Sequence, residues 1–572
     1  MKRSYLPVVL AFLFFLPVWN DGISPEPHPF HSNDLNHPPG VTGKASLPGT
    51  KTGLPVTDRP NIVLIMVDDM GWSDIACYGG EIPTPNIDAL ATNGLRFTQF
   101  YNNARCCPTR ASLMTGLYSH QAGIGQMSED PYTDRIDRHN YGTFGYRGYL
   151  NRNSVTLAEV LRSNGYHTYM TGKWHLGMHG DDKKPLQRGF EKYYGTLAGA
   201  SSYFRPQGGR CLYEGDAPLP PPEDPDYYTT DAYTDKAIGY LKAQDDDQPF
   251  FLYLAYNAPH WPLHAKEADI ELFKDLYRIG WDSIRQQRRA RQIEMGLIDP
   301  AWGLSVRDAR ARPWEQLSPG EKDSVAYRMA VYAAQVYAVD YNVGKLVNYL
   351  RTNGELDNTL IIFLADNGAC AETYDELGSQ DFSRINDPDF SGAVSYGIGW
   401  ANASNTPFFE YKVKPYEGGM STPLILHYPG LMDEQRGKIT AAKGHITDIM
   451  PTLVDVSGNS YPTQFHNGQT IQPMAGTSLV PVMQTGSRSE KEYMFWEHQS
   501  YGAVRKGDWK AVVDLRGNTW ELFDLKNDRT ERRNLAWENP QLVSEMAAKW
   551  YEWATGHHVF PKQLRKENDG RK

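Results

Sequence analysis

The sequence predicts an α/β protein, with a large sheet covered by helices on both faces and a smaller C-terminal α+β unit. Two observations carry this. Three nearly continuous apolar runs, 61–67, 250–256 and 359–365, are separated by stretches of helical periodicity. That is the pattern of strands buried on both faces. From about Ser489 the pattern changes to short alternating strands and one last amphipathic helix, which reads as a separate layer docked on the first. With 572 residues, 40% hydrophobic and 22% charged, the chain is long enough for a large core plus a smaller unit.

Residues 1–22 begin with the basic Met1-Lys2-Arg3, continue with an apolar run from Leu6 to Trp19 and end in Asn20-Asp21-Gly22. This is the shape of a secretory signal peptide and is short for a membrane span. The expectation is export to the periplasm or beyond, with no stable membrane insertion after cleavage; a retained anchor is the alternative. Residues 23–57, rich in Pro, Gly and His without periodicity, read as a linker.

The main unit is placed at 58–488. Asn61–Val67 is a buried strand that ends in Asp68-Asp69. A helix (Asn86–Asn93) and a short strand (Leu95–Phe100) follow, then a helix start at Cys106-Cys107-Pro108-Thr109-Arg110-Ala111-Ser112-Leu113-Met114-Thr115-Gly116. Ser154 is assigned as the cap of a helix over Val155–Asn164, stopped by Gly165. Strand Tyr166–Met170 runs into Gly172-Lys173-Trp174-His175, where Lys173 and His175, two apart in extended chain, share a face. Helix Asp231–Ala243 leads to strand Phe250–Tyr256, which delivers Pro259-His260. Residues 265–315, including Arg285-Gln-Gln-Arg-Arg-Ala-Arg-Gln, read as a charged, partly helical insertion with a solvated face. A long helix, about Ser318–Asn353, precedes strand Thr359–Ala365 and its terminal Asp366-Asn367-Gly368. Residues 371–410 show no regular pattern. Lys412, Glu417-Gly418-Gly419, strand Pro423–His427 and helix His445–Val456 close the unit. In 489–572, strands Tyr493–Glu497, Ala503–Arg505, Trp509–Asp514 and Trp520–Asp524 precede helix Pro540–Gly556, with Leu542, Met546 and Trp550 on one face.

The chemistry centres on Cys106. Pro108 suits the first position of a helix, which places Cys106 just before a helix N-terminus, where free N–H groups and the helix dipole attract anions. Arg110 lies one turn later and can reach the same point. An ordinary buried cysteine pair is one reading. A cysteine-thiolate phosphatase is another, but it needs an arginine six residues after the nucleophile, and those positions hold Ser112 and Leu113.

Ligands in open α/β sheets sit outside the C-terminal ends of the strands. Three buried strands here end in Asp68-Asp69, His260 and Asp366-Asn367. Three carboxylates and an amide oxygen form a hard donor set for Ca²⁺ or Mg²⁺. Zinc is the weaker reading. The His175/His179 and His260/His264 spacings are interrupted by Gly177 and Pro262, and the chain has no His-Glu-x-x-His or Cys-x-x-Cys. A net charge of −10 gives no support to a nucleic-acid partner. Five cysteines, Cys77, Cys106, Cys107, Cys211 and Cys370, are no disulfide framework for so long a chain.

The run Cys106-x-Pro108-Thr109-Arg110, followed by Leu113-x-Thr115-Gly116, resembles the signature of the type I sulfatases. The other motifs of that family occur in the same order: Asp68-Asp69, Gly172–His175, Pro259-His260, Asp366–Gly368, and Lys412 five residues before Glu417-Gly418-Gly419. Thr109 stands where Ser is more usual. The stretch 401–408 and the insertion at 265–315 look most like bacterial arylsulfatases. The resemblance implies an alkaline-phosphatase-like mixed sheet, and formylglycine made from Cys106 by a maturation enzyme. It implies one Ca²⁺, before Mg²⁺, on Asp68, Asp69, Asp366, Asn367 and residue 106. Arg110 would hold the formylglycine and metal shell, and Lys173 and Lys412 would grip sulfate. His260 would protonate the leaving oxygen, Asp366 would accept the attacking proton, and His175 would take the proton that lets the aldehyde re-form. The implied reaction is hydrolysis of aryl, alkyl or carbohydrate sulfates, with a sulfated polysaccharide among the possible substrates. Loops 178–228, 265–315 and 371–410 are candidates for its recognition. The rivals are a phosphodiesterase or phosphonate monoester hydrolase of the same superfamily and, outside enzymes, a calcium- or glycan-binding protein with a dead site.

Overall fold

The computed structural model describes residues 59–465 and 468–560; the expected signal peptide and linker lie outside them. In chain order the first half is β1 (Asn61–Val67), α1 (Pro85–Thr92), β2 (Leu95–Tyr101), α2 (Cys106–Thr115), α3 (Leu157–Ser163), β3 (His167–Lys173), β4 (Lys192–Thr196), β5 (Leu212–Glu214), β6 (Ala217–Pro218), α4 (Thr229–Lys242) and β7 (Phe250–Ala255). The main unit continues with α5 (Glu267–Ile270), α6 (Trp281–Glu294), α7 (Pro319–Thr352), β8 (Thr359–Ala365), α8 (Ile398–Ser404), α9 (Glu417–Met420), β9 (Ser421–His427), β10 (Ile439–Thr440), β11 (Gly444–His445), α10 (Ile449–Val456) and α11 (Val480–Thr485). Strands β12 (Tyr493–His498), β13 (Tyr501–Lys506), β14 (Trp509–Asp514) and β15 (Thr519–Asp524) and helix α12 (Pro540–Gly556) end the described chain.

The large sheet has the order β10-β2-β9-β8-β1-β7-β3-β4-β5-β6, with β11 also on β2. Its centre, β8-β1-β7-β3-β4, is parallel. Strand β9 runs antiparallel to both β8 and β2, which makes the sheet mixed. The apolar runs are continuous because both faces are covered. Val63, Ile65 and Val67 pack into a core with residues of α1, α4, α6, α7 and α8, while Ile62, Leu64 and Met66 pack with residues of α2, α3 and α10. The register pairs Met66 with Ala255 and Val67 with Ala365. The polar residues that follow β1, β7 and β8 therefore emerge along one edge.

The antiparallel sheet β12-β13-β14-β15 is sandwiched in turn. Met494, Trp496, Ala503, Val512 and Phe523 pack on Tyr101 and Met420 of the main unit, and Val504, Ala511 and Leu522 pack on Met546, Trp550 and Trp553 of α12. Among the described residues, no helix is long and apolar enough to cross a membrane. All five cysteines are free thiols.

Several sequence expectations need correction. The cap of α3 is Thr156 rather than Ser154, because Thr156 and Glu159 form a reciprocal capping box. The 371–410 stretch holds a helix, α8. The arginine face of α6 is not solvated: Arg288 is fully buried, its guanidinium on Asp74 at 2.7 Å and Glu81 at 2.6 Å. Arg285 is also buried and donates to the Ser305 carbonyl at 2.7 Å. A charge run resembles a solvated face until acids distant in sequence prove to be its partners.

Candidate active site

Asp68 and Asp69 leave β1 at the sheet edge. Adjacent residues in extended chain point to opposite faces, but Asp69 has φ of 63°, a left-handed conformation that Asp tolerates better than most residues. The alternation breaks there, and ligand atoms of Asp68, Asp69 and His260 all lie within 4.8 Å of one another. The Asp68 N–H donates to the Ala258 carbonyl at 3.0 Å, which ties the end of β1 to the loop carrying His260. The Asp69 N–H donates to Asp366 Oδ1 at 3.3 Å.

Helix α2 brings in the second group. It starts at Cys106 itself, so Pro108 is its third residue rather than its first. Cys106 still lies where the N–H groups are free. Arg110, one turn on and fully buried, donates through Nε to Asp366 Oδ2 at 2.9 Å and through Nη1 to the Lys173 carbonyl at 2.9 Å, and its Nη2 stands in ion-pair contact with Asp366 Oδ2 at 2.8 Å. Its Nη2 is 3.5 Å from Asp68 Oδ2. Strand β3 extends to Lys173, whose ammonium pairs with Asp68. Lys412 pairs with both oxygens of Asp69, at 2.7 and 3.0 Å. His260 donates from Nδ1 to the Trp261 carbonyl at 2.6 Å, which leaves Nε2 facing Asp69 Oδ2 at 3.4 Å. His175 reaches the site through a left-handed bend at φ 58° rather than along extended chain. Its ring lies against Gly199, where a Cβ would come within 2.5 Å of it; only glycine leaves that room.

Burial raises Asp366 to about 8 and Asp68 to about 6, each assisted by a neighbouring carboxylate. Asp69 is equally buried, yet His260 and Lys412 hold it below the usual carboxylate range. Burial brings His175 and His260 down to about 4, with Lys173 acting in the same sense on both. The neighbouring Cys107, together with Lys173, His175 and Lys412, pulls the Cys106 thiol well below its ordinary value, against burial.

The donor chemistry tests whether a cation fits. Asp68 Oδ1 and Asn367 Oδ1 are buried without a hydrogen-bond partner. Such atoms are costly unless something absent from the chain satisfies them. Asn367 turns its Nδ2 away, donating to Asp69 Oδ1 at 2.6 Å and the Gly368 carbonyl at 2.9 Å, so its oxygen is the free end. Carboxylates plus an amide oxygen suit a hard divalent ion. Cys106, Cys107 and His175 also cluster, which is softer company. But burial holds the Cys107 thiol well above its ordinary value and it donates to the Gln126 carbonyl at 3.3 Å. A protonated thiol is a poor zinc ligand.

A cavity of about 150 Å³ opens over Cys106, His175, His260 and Lys412. Sequence reasoning missed much of its rim: Arg105, residues 127–131, His139, Arg210, Trp261 and Glu372. Trp261 carried a signal, as the neighbour of His260; Glu372 sat in a patternless stretch and carried none. Of the loops singled out for recognition, 178–228 contributes Gly199, Ala200 and Arg210 and 371–410 contributes Glu372, whereas 265–315 does not line the cavity. That insertion packs α6 against the main unit instead.

Comparisons with known proteins agree with this geometry. The sulfatase family model matches residues 60–459, and a model described as N-sulphoglucosamine sulphohydrolase, C-terminal, matches 407–560. The chain is 35% identical to an uncharacterised sulfatase of Schizosaccharomyces pombe over 90% of this chain and 97% of that one. It is also 35% identical to an arylsulfatase of Klebsiella aerogenes, over 76% of this chain and 94% of the relative. A crystal structure of Ps i-CgsB in complex with a neocarrahexaose superposes with a TM-score of 0.62 at 27% identity, covering 87% of this chain and 93% of that one. The signature helix, the carboxylate edge and these matches together place the chain in the sulfatase family, among the sulfuric ester hydrolases.

Proposed function

We propose that this sulfatase cleaves sulfate monoesters with formylglycine at position 106 and one Ca²⁺, and that it acts after export. The observation that carries the reading is the placement of Cys106 at the first residue of a buried helix, between the carboxylate edge and two lysines. In this structure Cys106 Sγ marks where the modified side chain would stand. Asp68, Asp69, Asp366 and Asn367 would hold the cation together with residue 106. When bound, the cation lowers the pKa of the attacking hydroxyl and offsets charge on the sulfuryl oxygens. A hydrated aldehyde supplies two hydroxyls, one to attack sulfur and one whose loss of a proton expels sulfate.

The chain's own residues do the rest. Lys173 and Lys412 present their ammonium groups to the sulfate oxygens, supplying position and charge. Arg110 fixes Asp366 with one hydrogen bond and a second ion-pair contact and braces the Lys173 carbonyl. Asp366, held in place by Arg110 beside residue 106, accepts the attacking proton. His260 faces the cavity beside Trp261 and protonates the departing oxygen. His175, close to Cys106, takes the proton that lets the aldehyde return. The leaving group departs as an alcohol or phenol, so aryl, alkyl and carbohydrate sulfates are all accommodated in principle.

The test is mass spectrometry of the peptide around residue 106 in protein co-expressed with a formylglycine-generating enzyme, together with kcat/KM for aryl sulfate and aryl phosphate. Formylglycine and a preference for sulfate are expected. Unmodified Cys106 in fully active protein, or a preference for phosphate, would overturn the reading. Cys106→Ala is expected to fold and be inactive, while Cys107→Ser keeps much of the activity.

A further inference from the structure

The rim of the cavity holds charges of two kinds. Most are neutralised within the protein. Arg105 pairs with Glu372, Lys412 with Asp69, and Glu129 with Lys183. Glu129 also accepts the N–H groups of Met178 and His179 at 2.8 and 3.0 Å. Asp130 is 3.9 Å from both Arg135 and Arg138.

Arg210 differs. Among the described residues no carboxylate lies within ion-pair distance of it. Its Nη1 donates to the Ser391 carbonyl, its Nε is buried with no hydrogen-bond partner, and its guanidinium stands 5.8 Å from the centre of the Trp261 ring. Trp261 in turn lies with its ring centre 4.4 Å from that of His260, and its Nε1 donates to Glu372 at 3.4 Å. The Glu372 bond fixes the indole, so the row His260, Trp261, Arg210 runs outward from the proposed proton donor. A leaving group protonated by His260 would meet that row at the cavity rim. His139 lines the same cavity, and its buried Nδ1 also lacks a partner.

We infer that Trp261 and Arg210 form a leaving-group subsite for a sugar bearing a second anionic group, either a carboxylate or another sulfate. The inference deepens the proposed function and rests on it. The indole gives the sugar ring an apolar platform, and the guanidinium gives the anion a planar pair of donors that a lysine would not reproduce. Asp130 acts on Arg210 only from beyond ion-pair distance, and a partly buried guanidinium with no close carboxylate gains most from an anion brought by the ligand. A small aryl sulfate, whose ring carries no charge, would fill the sulfate end of the cavity and leave Arg210 untouched.

The test separates this subsite from the chemistry. In a Cys106→Ala background, which cannot turn over, calorimetry would measure binding of a hexose monosulfate, a hexose disulfate and a sulfated hexuronate. With Arg210 intact, the disulfate or the uronate binds more tightly than the monosulfate, and which of the two does so identifies the anion. Arg210→Ala weakens that binding by roughly tenfold to a hundredfold, as expected for a charge-assisted hydrogen bond in a partly buried site. It leaves the monosulfate within about twofold. Arg210→Lys, which keeps the charge and lowers the risk of misfolding, falls between. In the mature enzyme, kcat/KM for 4-nitrophenyl sulfate falls far less in both variants than kcat/KM for the preferred sugar sulfate. Equal binding of all three sugars, or undiminished binding in Arg210→Ala, overturns the subsite while leaving the sulfatase reading intact. Failure of mature wild-type protein to hydrolyse 4-nitrophenyl sulfate strikes the chemistry instead, and the binding arm still decides the subsite.

Discussion

Asp68→Asn tests the cation site through stability rather than activity. The carboxylate is fully buried, one oxygen pairs with Lys173 and the other has no partner. If a cation takes that second oxygen, it stabilises the folded state by mass action, about 2.7 kcal/mol at a hundredfold excess over its dissociation constant. The unfolding entropy of a chain this size is about 1 kcal/mol per kelvin, so saturating Ca²⁺ should raise Tm by about 2–3 °C over chelator-treated protein. In Asp68→Asn the Lys173 ammonium loses its charged partner in the interior. Removing one member of such a pair costs about 3–5 kcal/mol, so Tm should start about 3–5 °C lower. It should then not respond to Ca²⁺. The assay is differential scanning calorimetry of both proteins with EDTA and with Ca²⁺, alongside metal analysis. Wild-type protein whose Tm ignores Ca²⁺ and which carries stoichiometric zinc would refute the reasoning. So would an Asp68→Asn variant that responds as the wild type does.

Three further outcomes are expected. His260→Ala should lower kcat/KM for a sugar or alkyl sulfate by about 10²–10⁴, and far less for 4-nitrophenyl sulfate, whose phenol leaves without a proton; equal losses would assign His260 to binding. Lys412→Ala should slow both substrates by similar factors, since it removes a charge that the sulfate end sees whatever leaves; a loss confined to one substrate class would contradict that role. Arg288→Leu should cost about 3–5 kcal/mol by stranding buried Asp74 and leaving Glu81 with Arg291 alone, at 3.4 Å, lowering Tm while kcat per folded molecule holds; unchanged Tm would show that the pair is not worth its burial.

The strands that bear the site were legible because their burial on both faces leaves an unbroken apolar run. The predicted Thr359–Ala365 matches β8 residue for residue, and the polar residues after such runs were then candidates by position alone. Sequence could not show that Asp69 adopts a left-handed φ, because that conformation follows from what Asp366, Lys412 and His260 require around it. Nor could it show Arg288 buried, since its partners lie about two hundred residues upstream. The cap of α3 was readable and misassigned: Thr156-x-x-Glu159 is a capping box, and Ser154 stood two residues too early. Arg105, Arg210 and Glu372 were out of reach, because loop residues gain a role only from the cavity they border.

The C-terminal sheet is also part of the site's support, which its separate sequence pattern conceals. Glu417, five residues after Lys412, starts α9 fully buried. Its carboxylate takes Lys510 at 3.1 Å and Arg529 at 2.8 Å, with Tyr101 of β2 and Ser421 of β9 each at 3.0 Å. Lys510 bridges onward to Glu531 at 2.7 Å, and Glu531 accepts the N–H of Glu417 at 2.7 Å. The loop that presents Lys412 is thus clamped between the main sheet and the last one by charges that neither unit could bury alone. Removing the chain after residue 488 would leave Glu417 with no cation, at the cost of an unpaired buried charge. Glu417→Gln is the milder version. It keeps the shape and most hydrogen bonds but leaves Lys510 and Arg529 short of one negative charge. It should lower Tm by about 3–5 °C and, by loosening Lys412, raise KM for sulfate esters more than it lowers kcat. An unchanged Tm and KM would mean that the two sheets hold each other through their apolar faces alone.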